Sequence, residues 1–359
     1  MQYNFGLLSG AYKNAGDYLI RNRSIALLKE VYPDCNITIW ERNKSLNDVL
    51  DKINKCDALI LAGGPVYQKD IYPNDIPLVE NLDNIKTKIC EMGLGWWNRN
   101  YAFKDIIEYS FDEKMHNLLK RIMHDTGELS CRDWVTEQIL KNNGFSNLVM
   151  TGCPAWYSDY TSEKQNNFTD FNSIKKICVS DSSRYNNHEN LFELVLYLRK
   201  KFKNAEIHFI FHRGIFADNY TNSIVSEKNT ELKNKLSSIQ KLFIHDISYS
   251  GEGFNIYNDC DIHIGFRVHA HIYNLSIMGY SILIEEDSRG YAANEAFGLM
   301  SIPARISINQ HNIPNPYMVS QINNYINYLF ENNFNIFGVV YKQIQQNKNK
   351  MIKHIKKFI

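Results

Sequence analysis

The chain has 359 residues, 44% of them hydrophobic and 22% charged, which excludes a disordered protein and exceeds what one ordinary core serves. Lys and Arg number 40 against 39 Asp and Glu, a formal charge of +1, so no global field draws the chain to nucleic acid and any anion must be held locally. The seven cysteines are odd in number, scattered and without a Cys-x-x-Cys pair; with no signal-like leader and no apolar run long enough to span a bilayer, they read as reduced core residues of a cytoplasmic protein.

Short apolar runs alternate with amphipathic stretches, the pattern of βα units around a mainly parallel sheet. Strands are predicted at 3–8, 36–40, 58–61, 88–92, 129–131 and 148–150, with helices over 18–31, 45–55 and 134–143. From 155 to 173 the rhythm stops, and the polar run 161–172 reads as a linker. Beyond it, strands are predicted at 176–180, 206–211, 241–244, 261–265 and 281–284, and helices at 189–202, 227–236 and 269–278. The reading is an α/β chain of two Rossmann-like, doubly wound parallel-sheet domains, residues 1–155 and 174–335, facing a cleft. Ligands then belong at the carboxyl ends of the strands. The last segment, 336–359, carries six lysines after residue 340 and no acid, with Ile344, Met351, Ile355 and Phe358 interspersed. It reads as a helix packing its apolar face on the protein, or as a peripheral contact with the inner face of an anionic membrane.

Four motifs fall at strand ends. Asn14-Ala15-Gly16-Asp17 follows the first strand; the glycine lets a ligand approach the backbone, and Asp17 is placed to cap the helix. Gly63-Gly64 makes a tight turn after a buried strand, with no Gly-Lys-Ser/Thr to make it a Walker loop, so ATP hydrolysis is disfavoured. Arg132-Asp133 opens a helix, with Asp133 as its cap and Arg132 near the cleft. In the run 261–271, a strand ends at Gly265 and a helix begins among Arg267, His269 and His271. Cations at a helix N-terminus oppose the macrodipole, so this start calls for an anion among them. His271 and His263 read as packed residues. Arg184 and the pair His212-Arg213 end two further strands, and the strand-end rule turns Arg184, His212, Arg267 and His269 toward one crevice suited to a compact, highly charged phosphate and carboxylate ligand. Trp96, Trp97, Tyr101 and Tyr157 offer faces on which a sugar stacks, or core packing.

In order and spacing, Gly16-Asp17-x-x-Ile20, Gly63-Gly64, Ser130-x-Arg132-Asp133, Gly152-x-Pro154, Arg267-x-His269, Gly279 and Asp287-x-Arg289 resemble the polysaccharide pyruvyl transferase family over most of the chain. The sequence departs from the family where Cys153 replaces an aspartate between Gly152 and Pro154, where Ser281 replaces a proline after Gly279-Tyr280, and where Arg289 replaces a common lysine. The resemblance implies a GT-B-like fold and transfer of pyruvate from phosphoenolpyruvate to sugar hydroxyls as a ketal, in the making of a capsule or exopolysaccharide. The acceptor sugar and its linkage are not read from the sequence; lipid-linked and nucleotide-linked sugars are the two open expectations. Phosphoenolpyruvate serves as co-substrate, with no further cofactor and no metal.

On this reading residues 1–155 form the acceptor side, with Gly16, Asp17, Gly63, Gly64 and Arg132, and residues 174–335 the donor side, with Arg184, His212, Arg267, His269 and Arg289. Arg267, His269 and Asp17 are the catalytic candidates: Arg267 binds the anion, His269 supplies a proton, and Asp17 takes one from the acceptor. With phosphoenolpyruvate bound, the His269 pKa is expected above the ordinary value of about 6.5. Arg267→Ala is expected to end turnover and leave the fold intact. Two other readings share the fold: a glycosyltransferase using a nucleotide sugar, with Glu285 or Glu286 on its ribose, and a glycan-binding protein without catalysis.

Overall fold

The structure, a computed structural model, describes residues 2–158, 168–308 and 311–359. Most of the expected linker lies outside them. The first half runs β1 (Asn4–Ser9), α1 (Ala15–Val31), β2 (Asn36–Glu41), the single turn α2 (Leu50–Ile53), β3 (Ala58–Ala62), the short α3 (Ile71–Asn74), β4 (Lys88–Met92), α4 (Phe103–Ile107), α5 (Glu113–Thr126), β5 (Leu129–Cys131), α6 (Trp134–Asn142) and β6 (Leu148–Met150). The second runs β7 (Lys176–Ser180), α7 (His188–Lys201), β8 (Glu206–Phe211), α8 (Ser223–Leu236), β9 (Leu242–Asp246), β10 (Ile262–Gly265), α9 (Val268–Ser276), β11 (Tyr280–Leu283), α10 (Ser288–Phe297), the hairpin β12 (Arg305–Ile308) and β13 (His311–Pro314), α11 (Met318–Glu331) and α12 (Ile336–Ile355).

Each half is built on a parallel sheet, in the order β2-β1-β3-β4 and β11-β10-β7-β8-β9 respectively. The parallel pair β5-β6 joins the first sheet through a bridge from Leu94 to Cys131. Both orders contain a point where neighbouring strands send their chains to opposite faces: between β1 and β3, and between β7 and β10. The strands are legible in sequence because both faces are covered, so they read as apolar runs: all five residues of β3 are buried. The predicted 45–55 helix shrinks to a 3-10 turn at Asn47–Val49 and the one turn of α2, since Ile53 is the only residue of these two elements that is buried. Among the helices not predicted, α5 has a strong apolar face, Met115, Leu118, Leu119 and Ile122, an Asp112 cap whose carboxylate accepts from Met115 N at 2.7 Å, and Gly127 in the left-handed region at its end.

The core is not divided at the linker. One apolar cluster runs from Leu7 and Leu28 through Trp156 to Ile177, Phe209 and Ile326, and a second fills the other face of the first sheet. The 154–156 turn, packed on both α1 and α9, joins the two halves of the large cluster, and α12 returns across the first half to pack into it. Its Phe337, Val340, Ile344, Met351 and Ile355 are buried, as is Phe358 beyond it. His354 bonds Glu128 Oε1 and the Glu91 carbonyl, each at 2.9 Å, and Tyr32 Oη donates to the Ile355 carbonyl at 3.2 Å. The apolar face of the tail is thus used inside the protein.

The two sheets meet with their carboxyl ends facing. The loop after β1 docks on the second half: Lys13, 3% exposed, donates to Asp218 Oδ2 at 2.6 Å and Thr221 Oγ1 at 2.7 Å, and Ala15 N donates to the His212 carbonyl at 3.0 Å. On the other side, Asn98 N donates to Ser288 Oγ at 2.8 Å and Ser288 N to the Asn98 carbonyl at 3.2 Å.

Candidate active site

At the switch point of the second sheet, the loops leaving β7 and β10 diverge and leave a crevice at their ends. Arg267 stands at the N-cap of α9 in an extended conformation, without a side-chain cap. Its Nε and Nη2 donate to Asp181 Oδ1 and Oδ2, each at 2.6 Å, and Nη2 also reaches the Ser182 carbonyl at 3.2 Å. The anion that the sequence demands at this helix start is therefore first of all the protein's own carboxylate. Burial pushes Asp181 up from the ordinary carboxylate range, with Arg267 pulling it back; burial opposes the charge on Arg267, yet Asp181 outweighs it and holds the guanidinium more basic than usual. Nη1 of Arg267 has no hydrogen-bond partner among the described residues.

A second guanidinium repeats the arrangement at α10. Asp287 caps that helix, its Oδ1 accepting from Arg289 N at 3.1 Å, and its two oxygens also take Arg289 Nε at 3.0 Å and Nη2 at 2.7 Å. Burial opposes the Arg289 charge, yet Asp287, Glu286 and Asp17 outweigh it and hold the guanidinium more basic than usual. Here too Nη1 lacks a partner among the described residues. Glu286 lies between the two arginines and is held by Ser182 Oγ, by Ser183 N at 3.0 Å and Oγ at 2.8 Å, and by Asn187 Nδ2 at 2.8 Å.

His269 completes the set. Its ring lies on the first turn of α1: a Cβ at Gly16 would come within 2.0 Å of His269 Nδ1. Burial lowers its pKa to about 4, Asp17 pulling it up and Arg289, Arg132 and Arg267 pushing it down, so the ring is neutral at pH 7. A cavity of about 30 Å³ is lined by Asn14, Ser183, Arg267, His269, Glu286 and Arg289, among others. On another side of His269 a cavity of about 20 Å³ is lined by Arg132, Cys153 and Trp156.

Several predicted residues fall elsewhere. His212 is fully buried, bonded through Nε2 to Tyr257 Oη at 2.7 Å and packed edge-on against Phe254; it anchors α1 through its carbonyl and does not line the cavity. Arg184 lines a neighbouring, larger groove. Asp17 is not the helix cap: α1 begins at Ala15, Asn14 is the N-cap residue, and Asn14 Nδ2 donates to Asp17 Oδ2 at 3.1 Å. Asp17 instead sits in the first turn, where its charge favours the dipole and acts on His269 and Arg289. Gly63, at φ +50, turns the chain against Ile20 and Cys153, and Gly64 lies under the Arg42 guanidinium, so both serve packing. Arg132 lies on Gly95, and its Nε donates to Asp133 at 3.1 Å and Nη2 to the Trp96 carbonyl at 3.3 Å. Trp96 and Tyr157 are core residues.

Beneath the site, the packed histidines form a chain of polar contacts. His271 Nδ1 and His263 Nδ1 each lie 2.7 Å from Ser281 Oγ; His263 Nε2 lies 2.8 Å from Ser180 Oγ, which accepts from Arg267 N at 3.1 Å. Asp181 and Ser183 are site residues that the sequence reading does not single out, while Glu286 and Asn14 enter it in other roles, as a ribose contact of the nucleotide-sugar reading and as the first residue of the Asn14-Ala15-Gly16-Asp17 motif. The signal of all four is positional: polar residues directly after β7, after β11 and before α1.

The polysaccharide pyruvyl transferase family model matches residues 14–273. The chain belongs to that family. The matched span opens at Asn14 in the cavity wall and closes in α9, so the family pattern contains Arg267 and His269, while Arg289 lies beyond it. No curated protein sequence matches the chain significantly. Among solved structures, S. aureus MnaA with UDP is similar at TM-score 0.60 and 12% identity, covering 99% of this chain and 96% of that one. A putative UDP-N-acetylglucosamine 2-epimerase from Listeria monocytogenes follows at TM-score 0.56 and 10% identity, with 95% and 91% covered. UDP-GlcNAc 2-epimerase from Neisseria meningitidis, bound to UDP-GlcNAc, gives 0.56 at 9% identity, with 98% and 100% covered. At these identities the likeness is one of fold, and the fold of this pyruvyl transferase family member is GT-B.

Proposed function

We propose that this protein transfers the pyruvyl group of phosphoenolpyruvate to two hydroxyls of a sugar destined for a surface polysaccharide, forming a ketal. The observation that carries the reading is the pairing of Arg267 and Arg289 about one cavity. Each is held on one edge by a carboxylate and keeps Nη1 unbonded among the described residues, with His269 beside them. Two such groups suit a ligand with a carboxylate and a phosphate on adjacent atoms.

The atoms balance without a further reagent. A proton adds to the methylene carbon of the enol, a sugar oxygen attacks the central carbon, phosphate leaves with its bonding pair, and a second sugar oxygen closes the ketal. Of the two hydroxyl protons released, one replaces the proton given to the methyl carbon and the other goes out on hydrogen phosphate. His269 supplies the first proton once the trianionic donor has raised its pKa. Arg267 and Arg289 hold the charge as it moves to phosphate. Asp17, whose charge acts on both His269 and Arg289, takes the acceptor proton. Arginine meets the anionic charge, so the scheme calls for no metal, and turnover is expected to survive exhaustive EDTA treatment; a rate lost and then restored by magnesium would refute that part.

The reading is tested by incubating the protein with phosphoenolpyruvate and a panel of lipid-linked and nucleotide-linked sugars while following phosphate release. Acceptor-dependent phosphate release supports it. Release of nucleoside diphosphate from a nucleotide sugar, with phosphoenolpyruvate untouched, would establish the glycosyltransferase reading instead.

A further inference from the structure

Next to the donor cavity lies a groove of about 620 Å³ that both halves of the chain build. The two share a wall. Glu286 lines both; Ser183 faces the cavity and Arg184 the groove, and Gly290 and Tyr291 divide in the same way. A cavity of similar size, about 680 Å³, is lined by residues such as Ser45, Tyr72 and Lys114 of the first half and shares no lining residue with the donor cavity.

The groove's lining has two features. Tyr101 from the first half stacks on Tyr291 from the second, ring centroids 5.2 Å apart and planes 21° apart, which sets an aromatic wall across the junction. Arg99 and Arg184 line it with guanidinium groups that make no hydrogen bond or ion pair among the described residues, and Arg305 stands on the β12 rim, bonded to Asn312. The acids of the groove are already engaged. Asp105 accepts from Ala102 N at 2.9 Å, Glu285 is buried against Asn294 and Ser301 at 2.8 Å each, and Glu286 is held by Ser183 and Asn187. These bonds use up acceptor capacity and not charge; what the groove leaves without a partner among the described residues are the guanidinium donors of Arg99 and Arg184.

We propose that this groove is the acceptor site and that it takes a sugar carried on a phosphate or diphosphate ester, the ester oxygens meeting Arg99 and Arg184 and a sugar face lying on the tyrosine pair. The proposal rests on the donor reading above, since its substrate is the partner of phosphoenolpyruvate. It moves Arg184 from the donor to the acceptor and leaves Gly63 and Gly64 as packing residues.

Calorimetric titration of the full chain tests it with four probes: phosphoenolpyruvate, UDP-glucose, glucosyl-diphospho-farnesol and neutral methyl glucoside. Wild type is expected to bind at least one diphosphate-linked sugar about tenfold or more tightly than methyl glucoside, as loss of charge-assisted bonds implies. Arg99→Gln with Arg184→Gln is expected to erase that preference and keep phosphoenolpyruvate affinity within about threefold. UDP-glucose alone binding assigns a nucleotide carrier, and the farnesyl compound alone a lipid carrier; either supports the site. If phosphoenolpyruvate binds but neither diphosphate sugar is preferred, or the double variant keeps the preference, the groove proposal falls and the donor reading stands. If the double variant loses phosphoenolpyruvate instead, the arginines belong to the donor. Failure of wild type to bind phosphoenolpyruvate would refute the donor reading itself.

Discussion

Arg267 carries two tasks that the sequence shows as one. The Arg-x-His pattern is legible because cations at a helix start break a local rule, but the partner that answers them, Asp181, lies 86 residues away just past the end of β7 and is fixed only by the sheet order. The expectation that Arg267→Ala spares the fold is therefore replaced. Removing the guanidinium strands a buried carboxylate, at a cost of about 3 kcal/mol. Arg267→Ala should lower the melting temperature and end turnover, whereas Arg267→Ala with Asp181→Asn should regain much of the stability and none of the turnover; recovery of activity in the double variant would take Arg267 out of the donor site. For His269, the free protein holds the ring neutral, its pKa lowered to about 4 by burial first, and the donor must raise it above the pH of catalysis. The complex then binds more protons than the free protein, so phosphoenolpyruvate affinity should rise as pH falls through the bound-state pKa and level off below about 4. Calorimetry in buffers of different ionisation heat should show proton uptake at neutral pH that vanishes in His269→Gln, whose turnover should drop by about 10²–10⁴. Equal uptake in both proteins would make the ring a phosphate contact only.

Among the elements, those buried on both faces were legible, and those defined by their neighbours were not. The strands β3, β4 and β7 announce themselves as apolar runs. The hairpin of β12 and β13 pairs Ile306 with Ile313 and Ser307 with Asn312; Arg305-Ile306-Ser307-Ile308 does alternate, but each strand has only four residues and the second ends on Pro314, so neither stands out as a run. His212 shows the limit of the strand-end rule, which gives a residue's height along the sheet and not the turn of its side chain: its ring goes inward to Tyr257. The contact of α1 with α9 was half legible, since Gly16 was read as room for a ligand while the group that fills the room is His269. Gly16→Ala is thus informative. Alanine favours a helix by about 1 kcal/mol over glycine, so the fold should persist, but its Cβ would lie 2.0 Å from the ring and force it aside. A misplacement of about 1 Å can cost on the order of 10² in rate. Turnover should fall by about that factor while the protein stays folded, the helix gain of about 1 kcal/mol offsetting part of an overpacking cost of about 1–3 kcal/mol; an unchanged rate would show that the position of His269 does not matter.

The whole molecule is locked more closely than two domains across an open cleft. One core runs through both halves, Lys13 and Ala15 tie the first loop to the second half, and α12 closes the back. The cavity between Arg267 and Arg289 is narrow, about 30 Å³ against about 620 Å³ for the groove beside it. Burial also lowers the pKa of His188 to about 4 and of His271 to about 3, and brings His212 and His263 well below the ordinary value. These histidines stay neutral in the folded chain and take protons when it unfolds, so their contribution is present above the unfolded pKa of about 6.5 and is lost as pH falls toward 4. Glu91 and Glu285, both raised to about 7 by burial, act oppositely as they bind protons more readily when folded. With the histidines more numerous, the melting temperature should decline from pH 6.5 to 4.5; a rise over that range would show that the carboxyls dominate.

The central claim, that Arg267, His269 and Arg289 bound a phosphoenolpyruvate site from which pyruvate is passed to a sugar, is tested most directly by carbon-13 NMR with phosphoenolpyruvate labelled at its central carbon. With an acceptor sugar carried on a diphosphate, the label should appear at a ketal carbon in equal amount to the inorganic phosphate released, and Arg289→Met should abolish both signals. Label released as free pyruvate, or left in phosphoenolpyruvate across the acceptor panel, would contradict the account.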